Sequence, residues 1–169
     1  MKQILSLCLF VLLALNANGQ SLNVDSLVNV LNTKELTDDE KINVYWKVSQ
    51  FYLEYDSDEC ILYSNKGLLL AEKEGNKRRV ATFNNLLGIA YYKKNSFDTS
   101  YVYLNNYLEK AIKLDDKYLI SQAYNSLATM YKQKEDFPIA VDYYMKSLAA
   151  NDVINENRAI TLINLSTIH

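Results

Sequence analysis

The chain repeats itself at an interval of about 40 residues, and this period restricts its fold more than any other property. Displacing the segment around Asn85 by 40 places Asn85 on Asn125, Leu87 on Leu127 and Tyr91 on Tyr131. Without a gap, Lys94 meets Lys134, Phe97 meets Phe137, Tyr103 meets Tyr143 and Leu108 meets Leu148. The run Val48-Ser49-Gln50-Phe51-Tyr52 precedes Leu87-Gly88-Ile89-Ala90-Tyr91 by 39, and Cys60, Tyr63, Leu68 and Ala71 precede Ser100, Tyr103, Leu108 and Ala111 by 40. Leu165-Ser166-Thr167-Ile168-His169 follows Leu127-Ala128-Thr129-Met130-Tyr131 by 38, so there are three full copies and the opening of a fourth. A unit of this size cannot bury both of its apolar sides, and successive units must stack.

Each unit reads as two helices. Leu87, Ala90, Tyr91 and Lys94 fall at i, i+3, i+4 and i+7, one face of an α-helix; Phe97, Ser100, Leu104, Tyr107, Leu108 and Ala111 do the same in the second. Only 4 glycines and 1 proline interrupt the chain, which suits long helices rather than a turn-rich β fold. Lys94-Asn95-Ser96 is a tight turn of the kind that joins antiparallel neighbours. Thr37-Asp38-Asp39-Glu40 is a capping box, and Gly75-Asn76 is a left-handed stop. Asp56, Ser57, Asp58 and Asp136 sit where helix starts want acceptors, and Pro138 falls in a first turn. Asp115-Asp116 marks the break between the second and third copies. The expected helices are 38–54, 57–74, 77–94, 97–114, 117–134, 137–152 and 156–169, with a short covering helix at about 24–32.

The N-terminus is a separate segment. Lys2 precedes an apolar run over 4–15, and Ala17-Asn18-Gly19 supplies small residues before a cut at Gln20. This is the three-part pattern of a secretory signal peptide, and a largely apolar run of 12 residues falls short of the roughly 20 that span a bilayer. The expected organisation is a signal peptide at 1–19, a lead-in at 20–37 and a repeat array at 38–169, with units at about 38–76, 77–116, 117–155 and 156–169. The product would be exported, to the periplasm or another extracytoplasmic space. Cys8 lies within the apolar run, so Cys60 alone remains after cleavage and no internal disulfide forms. A net charge of −2 and a pI near 5.4 argue against nucleic acid as a partner of this segment. The basic cluster Lys77-Arg78-Arg79 reads as a solvated helix start.

The two helices of each unit resemble the tetratricopeptide repeat (TPR) family. Copy two reads Leu87-Gly88-x-Ala90-Tyr91, then Phe97, Ser100, Leu104 and Tyr107-Leu108; copy three reads Leu127-Ala128-x-Met130-Tyr131, then Phe137, Ala140, Tyr144 and Ser147-Leu148. The resemblance covers 38 to 169 and implies an all-α fold, a right-handed α-solenoid of antiparallel helix pairs forming a TPR-like superhelix. The copies run to about 40 residues against the family's usual 34. Tyr107 and Gly67 stand where the family prefers alanine, and the usual proline after the second helix is absent. The long copies, the export signal and the Asp25-Ser26-Leu27 opening resemble, more narrowly, the exported sensing region of bacterial envelope histidine kinases and transcriptional regulators. The array stops inside a motif at His169, which is the pattern of a fragment or a truncated gene.

The residue inventory points to binding rather than chemistry. One histidine and one mature cysteine make no zinc set and no Cys–His pair. Cys60 occupies a small-residue position and reads as a buried spacer. The pairs Asp38-Asp39, Asp58-Glu59 and Asp115-Asp116 lie near helix ends, where caps and dipoles explain them. No glycine-rich phosphate loop is present, and no cofactor or metal is expected.

The TPR resemblance implies a concave groove lined by the first helix of each unit. Carried over residue by residue, it comprises Asn43, Trp46, Gln50, Leu53 and Glu54, then Thr82, Asn85, Ile89, Tyr92 and Lys93, then Gln122, Asn125, Thr129, Lys132 and Gln133. Asn85 and Asn125 stack one repeat apart and could donate to an extended peptide. Against this stands the plainer reading that any solvated helix face carries such amides. Trp46/Gln50, Asn85/Ile89 and Asn125/Thr129 lack the Lys/Asn set with which some relatives clamp a terminal carboxylate. The expected function is a protein- or peptide-binding scaffold, the extracytoplasmic sensing part of a signalling protein. The rival is a structural subunit of an envelope assembly, and the open last repeat is also a candidate surface for self-association.

Overall fold

A computed structural model describes residues 24–32, 36–150 and 156–168. The expected signal peptide at 1–19, residues 20–23 and 33–35 of the expected lead-in, the expected end of the sixth array helix at 152 and His169 lie outside the described residues. Among the described residues the regular structure is entirely helical. The helices are α1 (Val24–Leu31), α2 (Asp38–Tyr55), α3 (Ser57–Lys73), α4 (Lys77–Lys93), α5 (Phe97–Lys113), α6 (Lys117–Gln133), α7 (Phe137–Ala150) and α8 (Glu156–Ser166).

The start and stop chemistry follows the sequence closely. Thr37 caps α2: its hydroxyl accepts from the Glu40 N–H at 3.3 Å, and Glu40 Oε2 accepts from the Thr37 N–H at 2.8 Å. Asp56 accepts from the Asp58 and Glu59 amides at the head of α3, Asn76 from Arg79 at the head of α4, and Asp116 from Leu119 at the head of α6.

The stops are more regular than the sequence suggests. Gly75, Asn95, Asp115 and Glu135 all take a left-handed backbone, with φ of 68, 58, 52 and 64°. The next amide in each case reaches back five residues: Asn76 to Ala71, Ser96 to Tyr91, Asp116 to Ala111 and Asp136 to Tyr131, at 2.9, 2.9, 3.2 and 2.9 Å. These are four Schellman turns spaced 20 residues apart. The 40-residue repeat is thus two 20-residue steps, each a 17-residue helix and a three-residue link. Glycine is used at one of the four turns, so a Gly-based reading of the stops finds only that one.

Consecutive helices pack antiparallel. The first helices of the units also touch in series, α2 on α4, α4 on α6 and α6 on α8, whereas the second helices α3, α5 and α7 do not meet one another. One layer is therefore continuous and the other splayed, which curves the stack with α2, α4, α6 and α8 on its inner side.

Close approach is set by small side chains. The Ser100 hydroxyl donates to the Gly88 carbonyl at 2.8 Å, and a Cβ on Gly88 would meet Leu104 Cδ2 at 2.5 Å. Each unit carries one stacked tyrosine pair between its helices: Tyr52 on Tyr63, Tyr91 on Tyr103 and Tyr131 on Tyr143, with centroids 5.7, 5.4 and 5.6 Å apart. Between α6, α7 and α8 the contact is polar. Ser121 and Ser147 each donate to the other's carbonyl, at 2.9 and 2.8 Å, and the Ser147 hydroxyl lies 3.2 Å from Thr161 Oγ1. All three hydroxyls are buried and bonded, so the junction carries little desolvation penalty.

Candidate peptide-binding groove

The inner helices bring the sequence-expected groove residues to one side of the stack, but they do not leave them equally available. At the N-terminal end, Asn43 Oδ1 accepts from Arg79 Nε and Nη2 at 3.2 and 2.8 Å. The same guanidinium lies over the Trp46 ring, 4.2 Å from its centroid. Asn43, Trp46 and Arg79 form a platform that ties α2 to α4. Burial, then the charge of Arg78, holds the Arg79 guanidinium below its usual pKa. Burial and then Arg79 itself lower the pKa of Lys47.

Further along, the two asparagines act between helices. Asn85 Oδ1 accepts from the Ser126 hydroxyl at 2.8 Å, binding α4 to α6, and Asn125 Oδ1 accepts from Thr161 at 3.3 Å, binding α6 to α8. Their carbonyl ends hold the array together, while neither Nδ2 donates to a described residue. The half-buried Thr82 hydroxyl donates to the Arg79 carbonyl within α4. Thr129 donates to the Asn125 carbonyl and lies 3.1 Å from the Tyr144 hydroxyl. Gln122 joins the buried Tyr107 hydroxyl at 3.1 Å to that of Tyr118 at 2.9 Å.

At the far end of the groove, long side chains cap the carbonyls of neighbouring inner helices. Lys93 donates to the Leu53 carbonyl and lies 3.6 Å from Glu54; Gln133 donates to the Tyr92 carbonyl at 2.9 Å; Lys132 reaches Thr167 and the Asn164 carbonyl. These contacts bring cross-helix donors to last-turn carbonyls, of which Tyr92's also accepts from the Asn95 N–H at 2.8 Å and Asn164's from the Thr167 hydroxyl at 2.8 Å. Gln50 is exposed and Ile89 half-buried, and both remain surface positions between these anchor points.

One expected groove residue is displaced. Tyr92 is buried and packs with Leu104, Leu127 and Met130, because α5 and α6 close over it. Its phenol is pushed up to about 12 by burial. Conversely, Arg79 was absent from the expected set. It lies three residues before Thr82, on the same helical face, and that spacing was the available signal. Reading Lys77-Arg78-Arg79 as one solvated cluster obscured it. Cys60 is fully buried, and its thiol is pushed up to about 11 by burial, which suits an inert packing residue. No helix among the described residues is long and apolar enough to cross a membrane.

No family model and no curated protein matches the chain. Solved structures do. BtubC (BKLC) from P. vanneervenii superimposes with a TM-score of 0.68 at 21% identity, covering 85% of this chain and 61% of that one. The apo form of RapI superimposes with a TM-score of 0.70 at 14% identity, covering 84% of this chain and 43% of that one. The chain thus spans less than two thirds of either neighbour. Both are helical repeat proteins, RapI being TPR-like, and at these identities the likeness concerns the fold. The molecule is an all-α solenoid of antiparallel helix pairs with a TPR-like architecture.

Proposed function

We propose that the chain is a protein- or peptide-binding scaffold, and that its place is the extracytoplasmic sensing part of a bacterial signalling protein. The observation that carries the binding reading is the inner face itself. It offers a rigid Arg79–Trp46–Asn43 platform at one end and, one repeat apart, the free amide donors of Asn85 and Asn125. Pre-ordered donors of this kind suit an extended peptide backbone, since little ordering cost is left for the binding step. The export reading rests on the N-terminal sequence pattern and on the resemblance to envelope sensors. Nothing in the reading requires catalysis.

Trp46 is the chain's single tryptophan, so its fluorescence reports the groove directly. Peptides titrated against the protein should shift that emission saturably. Asn85→Asp and Asn125→Asp keep the acceptors that Ser126 and Thr161 need but remove the amide donors, and each should weaken binding about fivefold. Unchanged affinity in both variants would remove the groove from consideration. A reporter enzyme that works only outside the cytoplasm, fused after His169, tests export; no activity would sink that part.

A second reading, a structural subunit of an envelope assembly, is favoured by one observation. Ile160, Leu162 and Ile163 of α8 are 41, 48 and 62% exposed. Concentration-dependent sedimentation abolished by Ile163→Asp would support it over ligand sensing.

A further inference from the structure

A crevice of about 320 Å³ lies on the edge of the stack where one unit hands over to the next, and it shares no residue with the groove. Its floor is Val80 and Leu114; its rim is Glu72, Lys77, Lys110 and Lys113, with Gly75 at the mouth. That size is at the lower end of the roughly 300–1,000 Å³ of small-molecule sites.

The charges at the rim are unbalanced. Three ammonium groups face one carboxylate, and among the described residues no ion pair of Lys77, Lys110, Lys113 or Glu72 forms within 4 Å. Two of the carboxylates nearby are already engaged: Glu74 with Lys73 at 3.2 Å, and Asp116 with Arg78. Lys110 and Lys113 lie in the last turn of α5, where a cation is favoured by the helix dipole. Lys77 is the opposite case. It opens α4, whose first turn holds Lys77, Arg78 and Arg79 and no acidic residue. Cations there oppose the dipole. Arg78 is offset by Asp116 and Arg79 by Asn43 and Trp46, which leaves Lys77 uncompensated.

Stacking does not demand this arrangement. One repeat later the positions of Glu72, Gly75, Lys77, Val80 and Lys110 hold Ile112, Asp115, Lys117, Ile120 and Ala150. The apolar floor recurs at Ile120, whereas of the three rim cations only Lys77 has a cationic counterpart, Lys117; Ala150 and Val153 stand at the positions of Lys110 and Lys113.

We infer that this crevice is a binding site for a small amphipathic monoanion, an acyl or aryl carboxylate whose apolar body lies on Val80 and Leu114 and whose head meets Lys77, Lys110 and Lys113. The lysine stems extend the apolar wall while their ammonium groups stay at the rim, so body and head are matched together.

The test uses the full chain and octanoate as the probe, followed by calorimetry and by methyl NMR of Val80 and Leu114. Saturable binding is expected, with shifts at both methyl groups and no change in Trp46 emission. Octylammonium and octanol should not bind. Lys110→Glu with Lys113→Glu should weaken octanoate by roughly tenfold, as two exposed contacts turn from attraction to repulsion. Lys117→Glu, the same charge change outside the crevice, should stay within about twofold. The inference is overturned if octylammonium binds equally, if the double variant, folded by circular dichroism, retains affinity, or if the response appears at Trp46. Binding of an acetylated peptide ending in leucine, with none by octanoate, would also overturn it.

Discussion

The Phe83 ring lies over Gly67, so closely that a Cβ on the glycine would come within 2.2 Å of Phe83 Cζ. One repeat later the sizes are exchanged: the buried Tyr107 stands at the glycine's position and Ala123 at the phenylalanine's, in one apolar cluster. At the next junction Ser147 meets Thr161 at 3.2 Å. The departure of Gly67 and Tyr107 from the alanine preferred in TPR proteins is therefore one side of a paired choice, in which a large residue on one unit requires a small one on its neighbour.

Gly67→Ala should destabilise the fold by about 1–3 kcal/mol through overpacking, and Phe83→Ala by about 3–5 kcal/mol through the cavity it leaves. Gly67→Tyr combined with Phe83→Ala copies the next junction and should lose less than Phe83→Ala alone. Urea denaturation of these three variants and of Gly67→Tyr alone measures this. Strict additivity would show that the two positions do not share a volume.

Glu135 holds a left-handed backbone at φ 64°, a conformation that costs an ordinary L-residue about 1–2 kcal/mol. Glu135→Gly should raise stability by about 0.5–1 kcal/mol after the glycine's greater unfolded-state entropy is deducted. Asn95→Gly, at φ 58°, should change little, because asparagine already tolerates this region. A lowered midpoint for Glu135→Gly would contradict the assignment.

Asn85→Ala should cost about 1 kcal/mol of stability, because the buried Ser126 hydroxyl loses its acceptor on α4. Asn85→Asp should cost less. Thermal unfolding of the pair separates the bridging role of this residue from any role toward a ligand, and equal losses would argue against the bridge.

Alkaline pH should unfold the array. Burial raises the Cys60 thiol from 9.0 to about 11 and the Tyr92 phenol from 10.0 to about 12. Groups that folding holds protonated contribute stability that is complete below their unfolded values and is lost as pH rises through the folded ones. The denaturation midpoint should therefore hold to about pH 9 and fall between about 9 and 12. Tyr92→Phe should flatten the upper part of that fall and Cys60→Ala the lower part. An unchanged slope in both would show that neither group is linked to folding.

The helix ends were legible because they depend on neighbours in the chain. Thr37 and Glu40 find each other across three residues, and Gly75 announces its own turn. The left-handed turns at Asp115 and Glu135 were not legible as such, since neither residue advertises that backbone. Within the groove, the TPR resemblance placed Trp46, Asn85 and Asn125 on the inner helices, yet it carried Tyr92 along with them. A family pattern assigns a face; whether the face is open depends on how far the next helix closes over it.

The sequence alone determined the number of helices, their antiparallel order and the need to stack, because a period of helix pairs with apolar sides has no other way to hide them. Tertiary structure decided what crosses between units. Asn85 meets Ser126 from 41 residues away, Arg79 meets Trp46 and Asn43 across two helices, and Phe83 fits only because residue 67 is glycine. Such contacts depend on the rotation and separation of neighbouring helices, which close packing of all the side chains sets at once, and no local pattern encodes them.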